Sequence, residues 1–224
     1  MKTIIFDLFE TLITEWGAYK YTTALMAEDM GLQYHVIASE WGEMEHRMDL
    51  GEITLFNAMV HIATVFGSTV SEQQIIEMVN KRLETRGNRI LELNNQIENM
   101  LINLKVNGYC IGLISNCSNE DMLTIQESKL KSYIDFCILS CSENITKPDE
   151  RIYLKWCEKM EVSPNDCIYI GDGGSNELVG ADKCGMTVLQ AGWFIKNYQN
   201  PYANTHGYLC LNNQNELLKY LDMV

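Results

Sequence analysis

Two groups of polar residues directly follow apolar runs of the sequence, and both contain side chains that can take part in catalysis. Asp7 follows the run that ends at Phe6, and Ser115-Asn116 follow the run that ends at Ile114. A carboxylate can act as a nucleophile, and a hydroxyl or an amide can hold a substrate oxygen. Taken singly, these residues are also ordinary turn formers and helix caps.

Two further groups, later in the chain, offer a cation and a pair of acids. Lys147 precedes Pro148, and Asp172 and Glu177 enclose a Gly-Gly-Ser-Asn turn behind another apolar run. Carboxylate oxygens on a flexible turn suit an oxygen-coordinated cation. A lysine beside a carboxylate favours the ionised form of that carboxylate.

Together the four groups contain what one reaction requires. A carboxylate can attack a phosphoryl group when a divalent cation neutralises charge on both reactants. Asp7 would then be the nucleophile, and Asp172 would hold the cation. Lys147 would bridge the nucleophile and the phosphate, while the Ser115 hydroxyl would donate to a phosphoryl oxygen.

These side chains can meet only if the apolar runs form neighbouring parallel strands, because ligands of open parallel sheets bind beyond the carboxyl ends of the strands. The runs alternate with amphipathic segments of helical length, which predicts an α/β fold with helices on both faces of a Rossmann-like parallel sheet. Strands are predicted at 3–6, 109–114, 136–139, 167–170, 186–189 and 208–211. Helices are predicted at 91–105, 119–130, 149–160, 176–184 and 214–221.

The segment from about residue 15 to residue 86 breaks this alternation. It shows helical periodicity without a convincing strand, at 19–30, 34–48, 55–66 and 71–83. We therefore predict a core formed by residues 1–14 and 87–224, with an all-helical cap, residues 15–86, inserted after the first strand.

Composition limits the partners and the compartment. The 224 residues include 46% hydrophobic and 21% charged residues, as in a globular protein with a buried core. The net charge of −13 disfavours nucleic acid and anionic membranes as partners, but not a small anionic substrate. No apolar run is long enough to span a bilayer, and none begins the chain as an export signal would. None of the eight cysteines forms a C-x-x-C pair, so we expect reduced thiols and a cytoplasmic protein, whose oligomeric state is left open.

The sequence resembles the haloacid dehalogenase (HAD) superfamily, which is dominated by magnesium-dependent phosphatases but includes dehalogenases and phosphonate hydrolases. The resemblance covers nearly the whole chain and lies in four motifs, Phe6–Leu12, Leu113–Asn116, Lys147–Asp149 and Tyr169–Glu177. The helical segment resembles the inserted cap of the first cap class, which closes over the active site.

The resemblance implies roles for individual residues. Asp7 is the nucleophile, and Ser115 and Lys147 bind the transferred group. A Mg²⁺ ion is held by Asp7, by Asp172 and by the backbone carbonyl of Phe9.

We further assign substrate binding to Thr11, to Asn116 and to Arg47 of the cap. A solvated, charged helix face is the alternative for Arg47.

Phe9 departs from the pattern of the phosphatases. They usually carry a second Asp at this position, which protonates the leaving oxygen and then activates water, whereas dehalogenases of the superfamily carry an aromatic residue and need no such acid. Asp172 favours the phosphatases, because those dehalogenases work without metal and lack the Gly-Asp pair. Glu10 could supply the proton only if its side chain turned inward, and a solvated or structural Glu10 is the alternative.

The sequence thus predicts a HAD-like hydrolase, and specifically a phosphoric monoester hydrolase acting on a small phosphorylated metabolite. The alternatives are a carbon–halogen hydrolase similar to the 2-haloacid dehalogenases and a non-catalytic phosphate- or metal-binding protein. If nothing replaces the missing acid at Phe9, aryl and acyl phosphates should be hydrolysed faster than alkyl phosphates.

Overall fold

The computed structural model describes residues 2–195 and 207–223 and contains a six-stranded parallel sheet. The strands are β1 (Thr3–Phe6), β2 (Cys110–Ser115), β3 (Phe136–Leu139), β4 (Cys167–Gly171), β5 (Thr187–Ala191) and β6 (Leu209–Leu211). They lie in the order β3-β2-β1-β4-β5-β6. The predicted α/β class is confirmed.

The strand order reverses beside β1, and this reversal sets the position of a binding crevice. Thr3 at the start of β1 is in register with Cys110 of β2 on one side and with Cys167 of β4 on the other. The Asp7 amide, just past β1, donates to the Ile170 carbonyl at 2.8 Å. Segments that leave the carboxyl ends of β1 and β4 therefore border one crevice, the usual ligand site of such sheets.

Helices flank the sheet and also form most of the segment between β1 and β2. They are α1 (Thr23–Asp29), α2 (Tyr34–Asp49), α3 (Leu55–Val65), α4 (Glu72–Leu91), α5 (Asn95–Val106), α6 (Asn119–Glu127), α7 (Ser140–Glu143), α8 (Glu150–Met160), α9 (Glu177–Lys183) and α10 (Gln214–Tyr220). Side chains cap several of them in the expected way, and Ser118 forms a capping box with Asp121 at the start of α6. No helix of the described segments is both long and apolar enough to cross a membrane.

Helices cover both faces of the sheet because neighbouring strand residues point to opposite sides. Ile4 and Phe6 pack with Leu101 of α5 on one face. Ile5 packs with Trp156 of α8 on the other face. Each face is thereby removed from water, as a parallel sheet requires.

The helices α1 to α4 build a third cluster of buried side chains, which runs from Tyr21 to Met78. One difference from the prediction lies in α4, which continues to Leu91 instead of ending at residue 83. The polar sequence 84–89 interrupts the apolar periodicity and hides this continuation. The helix passes through residues 86 and 87 without a break, and Ile90 packs against the sheet. The division of the chain at these positions stays a prediction.

Candidate active site

The nucleophile predicted from the sequence, Asp7, is buried beyond the carboxyl end of β1. The residue is 5% exposed, and the Thr11 hydroxyl donates to Oδ2 at 3.4 Å. The Thr11 carbonyl accepts a hydrogen bond from Trp193 Nε1 at 2.8 Å. These hydrogen bonds hold the turn after β1 in place, with the Asp7 carboxylate at the crevice.

Lys147 lies between two carboxylates. Its ammonium group contacts Asp7 Oδ1 and Glu177 Oε2 and lies 3.3 Å from the Tyr169 hydroxyl. Asn116 fixes the backbone of this lysine, since Asn116 Oδ1 accepts from Lys147 N at 2.8 Å and Asn116 Nδ2 donates to Lys147 O at 3.1 Å. The amide of Asn116 thus positions the lysine, and its predicted contact with substrate stays a prediction.

Asp172 lies in the turn after β4, and Glu177 follows this turn as the first residue of α9. Asp172 Oδ1 accepts from the Gly174 amide at 3.0 Å. Glu177 Oε2 accepts from the Tyr169 hydroxyl at 2.9 Å, and Oε1 accepts from the Gly173 amide at 3.3 Å. Both carboxyl groups are therefore oriented by the loop that carries them.

Gly171, the last residue of β4, makes room for Glu177. A Cβ atom at position 171 would lie 2.0 Å from Glu177 Oε1 and 2.7 Å from its Cδ. The carboxyl group packs directly on the glycine, so Gly171 has a steric function in this site.

Three carboxyl groups meet at the site. One carboxylate oxygen from each of Asp7, Asp172 and Glu177 lies within 4.8 Å of the others, and Lys147 contacts Asp7 and Glu177. Burial and Asp7 raise the pKa of Glu177, although Lys147 acts in the opposite direction. Burial lowers the pKa of Lys147, but Asp7 and Glu177 raise it by more, so the amine stays charged. Grouped oxygen donors of this kind are what Mg²⁺ prefers.

Ser115 is fully buried at the end of β2, and its hydroxyl donates to the Asn116 carbonyl at 3.3 Å. It borders the same crevice, because β2 pairs directly with β1. The structure therefore brings Asp7, Thr11, Ser115 and Lys147 to one edge of the sheet.

Phe9 carries a cation above its ring instead of an acid. The guanidinium carbon of Arg86, from α4, lies 4.1 Å from the ring centroid. Arg86 Nε also donates to Asp121 Oδ1 at 2.8 Å. The carboxylate of Glu10 is held by the turn that follows it, since it accepts from Thr14 Oγ1 at 2.5 Å and from the Glu15 amide at 2.9 Å.

One cavity opens between the helical segment and the loops that follow the strands. Its volume is about 220 Å³, and it is lined by Asp49 and Arg86 on one side and by Asn116 and Ser175 on the other. A second cavity, of about 450 Å³, is lined by residues of the helical segment and shares Arg86 with the first. In the first cavity, side chains from both parts of the chain face the same space.

Arg47 is not brought to this cleft. Its Nε lies 3.0 Å from Glu52 Oε2, and the side chain is 38% exposed, as expected for a charged helix face. Arg82 and Arg86 line both cavities instead, with Arg82 paired to Glu45 at 2.9 Å.

Sequence reasoning did not identify Tyr169, Arg82 or Arg86. A tyrosine inside the apolar run 167–170 is a weak signal, because strands favour tyrosine in any case. The two arginines lie four residues apart and so share a helix face, but nothing in the sequence shows which face meets the core.

Comparison with known proteins adds independent evidence. The family model described as haloacid dehalogenase-like hydrolase matches residues 2–191. The chain is 23% identical over 201 residues to (S)-2-haloacid dehalogenase 4A of Burkholderia cepacia, which covers 85% of this chain and 82% of that protein. It is 23% identical over 200 residues to pyrophosphatase PpaX of Bacillus cereus, which covers 88% of this chain and 85% of that protein.

The fold has solved counterparts. A HAD family enzyme from Bacteroides thetaiotaomicron, in complex with magnesium and inorganic phosphate, is similar with a TM-score of 0.59 at 18% identity over 85% of this chain and 94% of that one. The matching family model spans most of the chain and all four motifs, so this protein belongs to the haloacid dehalogenase-like hydrolases.

Proposed function

We propose that this hydrolase is a magnesium-dependent phosphatase that acts on a small phosphorylated metabolite through an aspartyl phosphate formed on Asp7. The observation that carries the proposal is the buried group of Asp7, Asp172 and Glu177, whose carboxylate oxygens lie within 4.8 Å of one another and can hold a hard divalent cation. Lys147 contacts two of these acids, Asp7 and Glu177. Grouped carboxylates are costly to bury, and a divalent cation among them would offset that cost.

Magnesium suits the donors. Asp7 and Asp172 would hold the ion, and the backbone of Phe9 would contribute a carbonyl. The two carboxylate oxygens of Glu177 already accept hydrogen bonds, so this residue would contact the ion through a water molecule. The bound ion would neutralise the phosphoryl oxygens and so permit an anionic nucleophile to approach.

The side chains of the crevice then have separate tasks. Asp7 attacks the phosphorus atom with a carboxylate oxygen, and the bond to the leaving oxygen breaks. Lys147 contacts the nucleophile directly and keeps it ionised while donating to the phosphate. Water then attacks the phosphorus of the aspartyl phosphate, which releases orthophosphate and restores Asp7.

A carbon–halogen hydrolase is the second candidate, and Phe9 is the observation in its favour. An aromatic ring lies where an acid would assist an alkoxide, and halide needs no such assistance. In this reaction Asp7 would attack carbon, and Lys147 would still neutralise the nucleophile. No divalent cation would be required, so metal dependence separates the two candidates.

The experiment is a screen of phosphorylated metabolites and short haloacids, each with and without Mg²⁺. We expect phosphate release that requires Mg²⁺ and that is lost in Asp7→Asn. In Asp172→Ala the Mg²⁺ concentration for half-maximal activity should rise, whereas Asp166→Ala, which alters an exposed acid next to the start of β4, should leave it unchanged. Halide release without metal, or full phosphatase activity in folded Asp7→Asn, would overturn the proposal.

A further inference from the structure

An alkyl phosphate needs a proton on its leaving oxygen, and two acids beside the crevice are held by neighbouring groups. The carboxyl group of Glu177 is held by Lys147 and Tyr169 underneath the site. That of Glu10 is held by the hydroxyl and amide of the following turn. On the other side of the cleft the structure offers a further acid.

We propose that Asp49, at the end of α2, is the general acid and base of this reaction, an inference that rests on the proposed phosphatase function. Asp49 lines the 220 Å³ cavity, opposite Asn116 and Ser175. These two residues belong to the loops that follow β2 and β4, the strands on either side of β1. A leaving group that points out of the crevice enters the space that Asp49 faces.

Hydrogen bonds fix Asp49 relative to the sheet. The Ser140 hydroxyl, just past β3, donates to the Asp49 carbonyl at 2.6 Å and accepts from the Cys117 amide at 3.0 Å. Asn119 Nδ2 donates to the Gly51 carbonyl at 3.4 Å. Position 49 is thereby linked through one side chain to the loop that carries Ser115.

Gly51 permits this close approach. A Cβ atom at this residue would lie 2.2 Å from the Cys141 carbonyl oxygen, and the glycine has a φ of +74°. Only glycine adopts this conformation without strain and leaves space for the neighbouring backbone.

The Asp49 carboxyl group is available for proton transfer. Within residues 2–195 and 207–223 it has no hydrogen bond or ion pair, although most of its surface is buried. The charged groups around it are Arg86 of α4, Asp121 of α6, and Glu45 and His46 of its own helix. Burial is the main cause that raises the pKa of Asp49 to about 6, while Arg86 opposes the shift. An acid with such a pKa can give and take a proton near neutral pH.

The proton balance closes over the two steps. The Asp49 carboxylic acid gives its proton to the leaving oxygen as the phosphorus–oxygen bond breaks and Asp7 bonds to phosphorus. The Asp49 carboxylate then takes a proton from the water molecule that attacks the aspartyl phosphate. Asp49 is again protonated at the end of the cycle, and Asp7 is again a free carboxylate.

The test compares Asp49→Asn with the natural protein on an alkyl phosphate and on 4-nitrophenyl phosphate, whose leaving group needs little protonation. We expect Asp49→Asn to lower kcat/KM for the alkyl ester by roughly 10²–10⁴-fold, the usual size of general acid catalysis, and to affect the aryl ester far less. The variant should also lose the decline in alkyl phosphate kcat/KM that the natural protein shows as pH rises above about 6. Glu43→Gln, an exposed acid on the same helix, should change neither substrate.

A second variant separates catalysis from folding. Phe9→Asp placed in the Asp49→Asn background should restore part of the alkyl phosphate turnover, because it returns an acid to the crevice. Equal losses on both esters, or an unchanged pH profile, would overturn the role of Asp49 while phosphatase activity persisted. Absence of any Asp7-dependent phosphate release in the natural protein would instead overturn the proposed function.

Discussion

Gly171 shows how a single missing side chain supports the charged group of the site. The Glu177 carboxyl group occupies the volume that a Cβ atom at this position would need. It cannot move aside freely, because Lys147, Tyr169 and the Gly173 amide hold it.

We therefore predict that Gly171→Ala displaces Glu177 and destabilises the protein by about 1–3 kcal/mol, as overpacking of a core does. The Mg²⁺ requirement for activity should rise at the same time. Gly42→Ala is the matched control, since a Cβ atom there meets nothing within 4 Å in the exposed face of α2. It should stabilise the helix by roughly 0.5–1 kcal/mol. Urea unfolding of both variants checks the pair, and an unchanged stability of Gly171→Ala would contradict the packing described here.

The raised pKa of Asp49 has a consequence for the stability of the protein that is independent of catalysis. Its folded-state pKa of about 6 lies above the ordinary value of 3.8, so folding favours the protonated form. The resulting stabilisation is complete below about pH 4 and is lost as pH rises through 6.

At pH 8 the free energy of unfolding of Asp49→Asn should consequently exceed that of the natural protein by an amount on the order of 2 kcal/mol, and its unfolding temperature should be higher. At pH 4 this difference should disappear. Thermal unfolding at both pH values measures the difference. A variant that is less stable at pH 8 would show that the ionised carboxylate has a partner in the folded state.

At the scale of elements, Arg86 joins three parts of the chain. It extends from α4 to Asp121 at the start of α6, to Glu15 in the segment before α1 at 3.6 Å, and to the ring of Phe9 after β1. Burial would lower the pKa of Arg86, but Asp121 and Glu15 raise it by more. Removing this cation would leave several acids facing one another.

We predict that Arg86→Gln destabilises the protein by about 3–5 kcal/mol, the usual cost of leaving a buried charge unpaired. Arg47→Gln breaks an exposed pair with Glu52 and should cost no more than about 1 kcal/mol. The two substitutions remove the same charge, so their difference in urea midpoint measures what the additional partners and the greater burial of Arg86 contribute. Equal midpoints would mean that Arg86 does not hold the elements together.

The strands and the ends of most helices were predictable, because apolar runs and capping residues are local signals. Asp7, Ser115, Lys147 and Asp172 could be named for the same reason, since each lies at the end of a strand or shortly before a helix. The residues on the other side of the cleft could not be named from the sequence. Arg86 and Asp49 act through partners that are 35 and 91 residues away in sequence, and only the docking of α2 and α4 decides which polar positions face the sheet.

At the scale of the whole molecule, the net charge and the local cations of the crevice have opposite effects on an anionic substrate. The chain carries a net charge of −13, which repels anions in general. The crevice overcomes this locally with Lys147 and, on our proposal, with a bound divalent cation. A small substrate held close to both charges can bind where an extended polyanion cannot.

The covalent state of Asp7 during turnover is the direct test of the proposed aspartyl phosphate. The natural protein is mixed with Mg²⁺ and an aryl phosphate, quenched in acid within milliseconds, and digested for mass spectrometry of the peptide that contains Asp7. We expect a phosphate group on Asp7 that appears before free phosphate and is absent without Mg²⁺ or in Asp7→Asn. Phosphate release at the natural rate with Asp7 unmodified throughout, or with the phosphate on another residue, would contradict it.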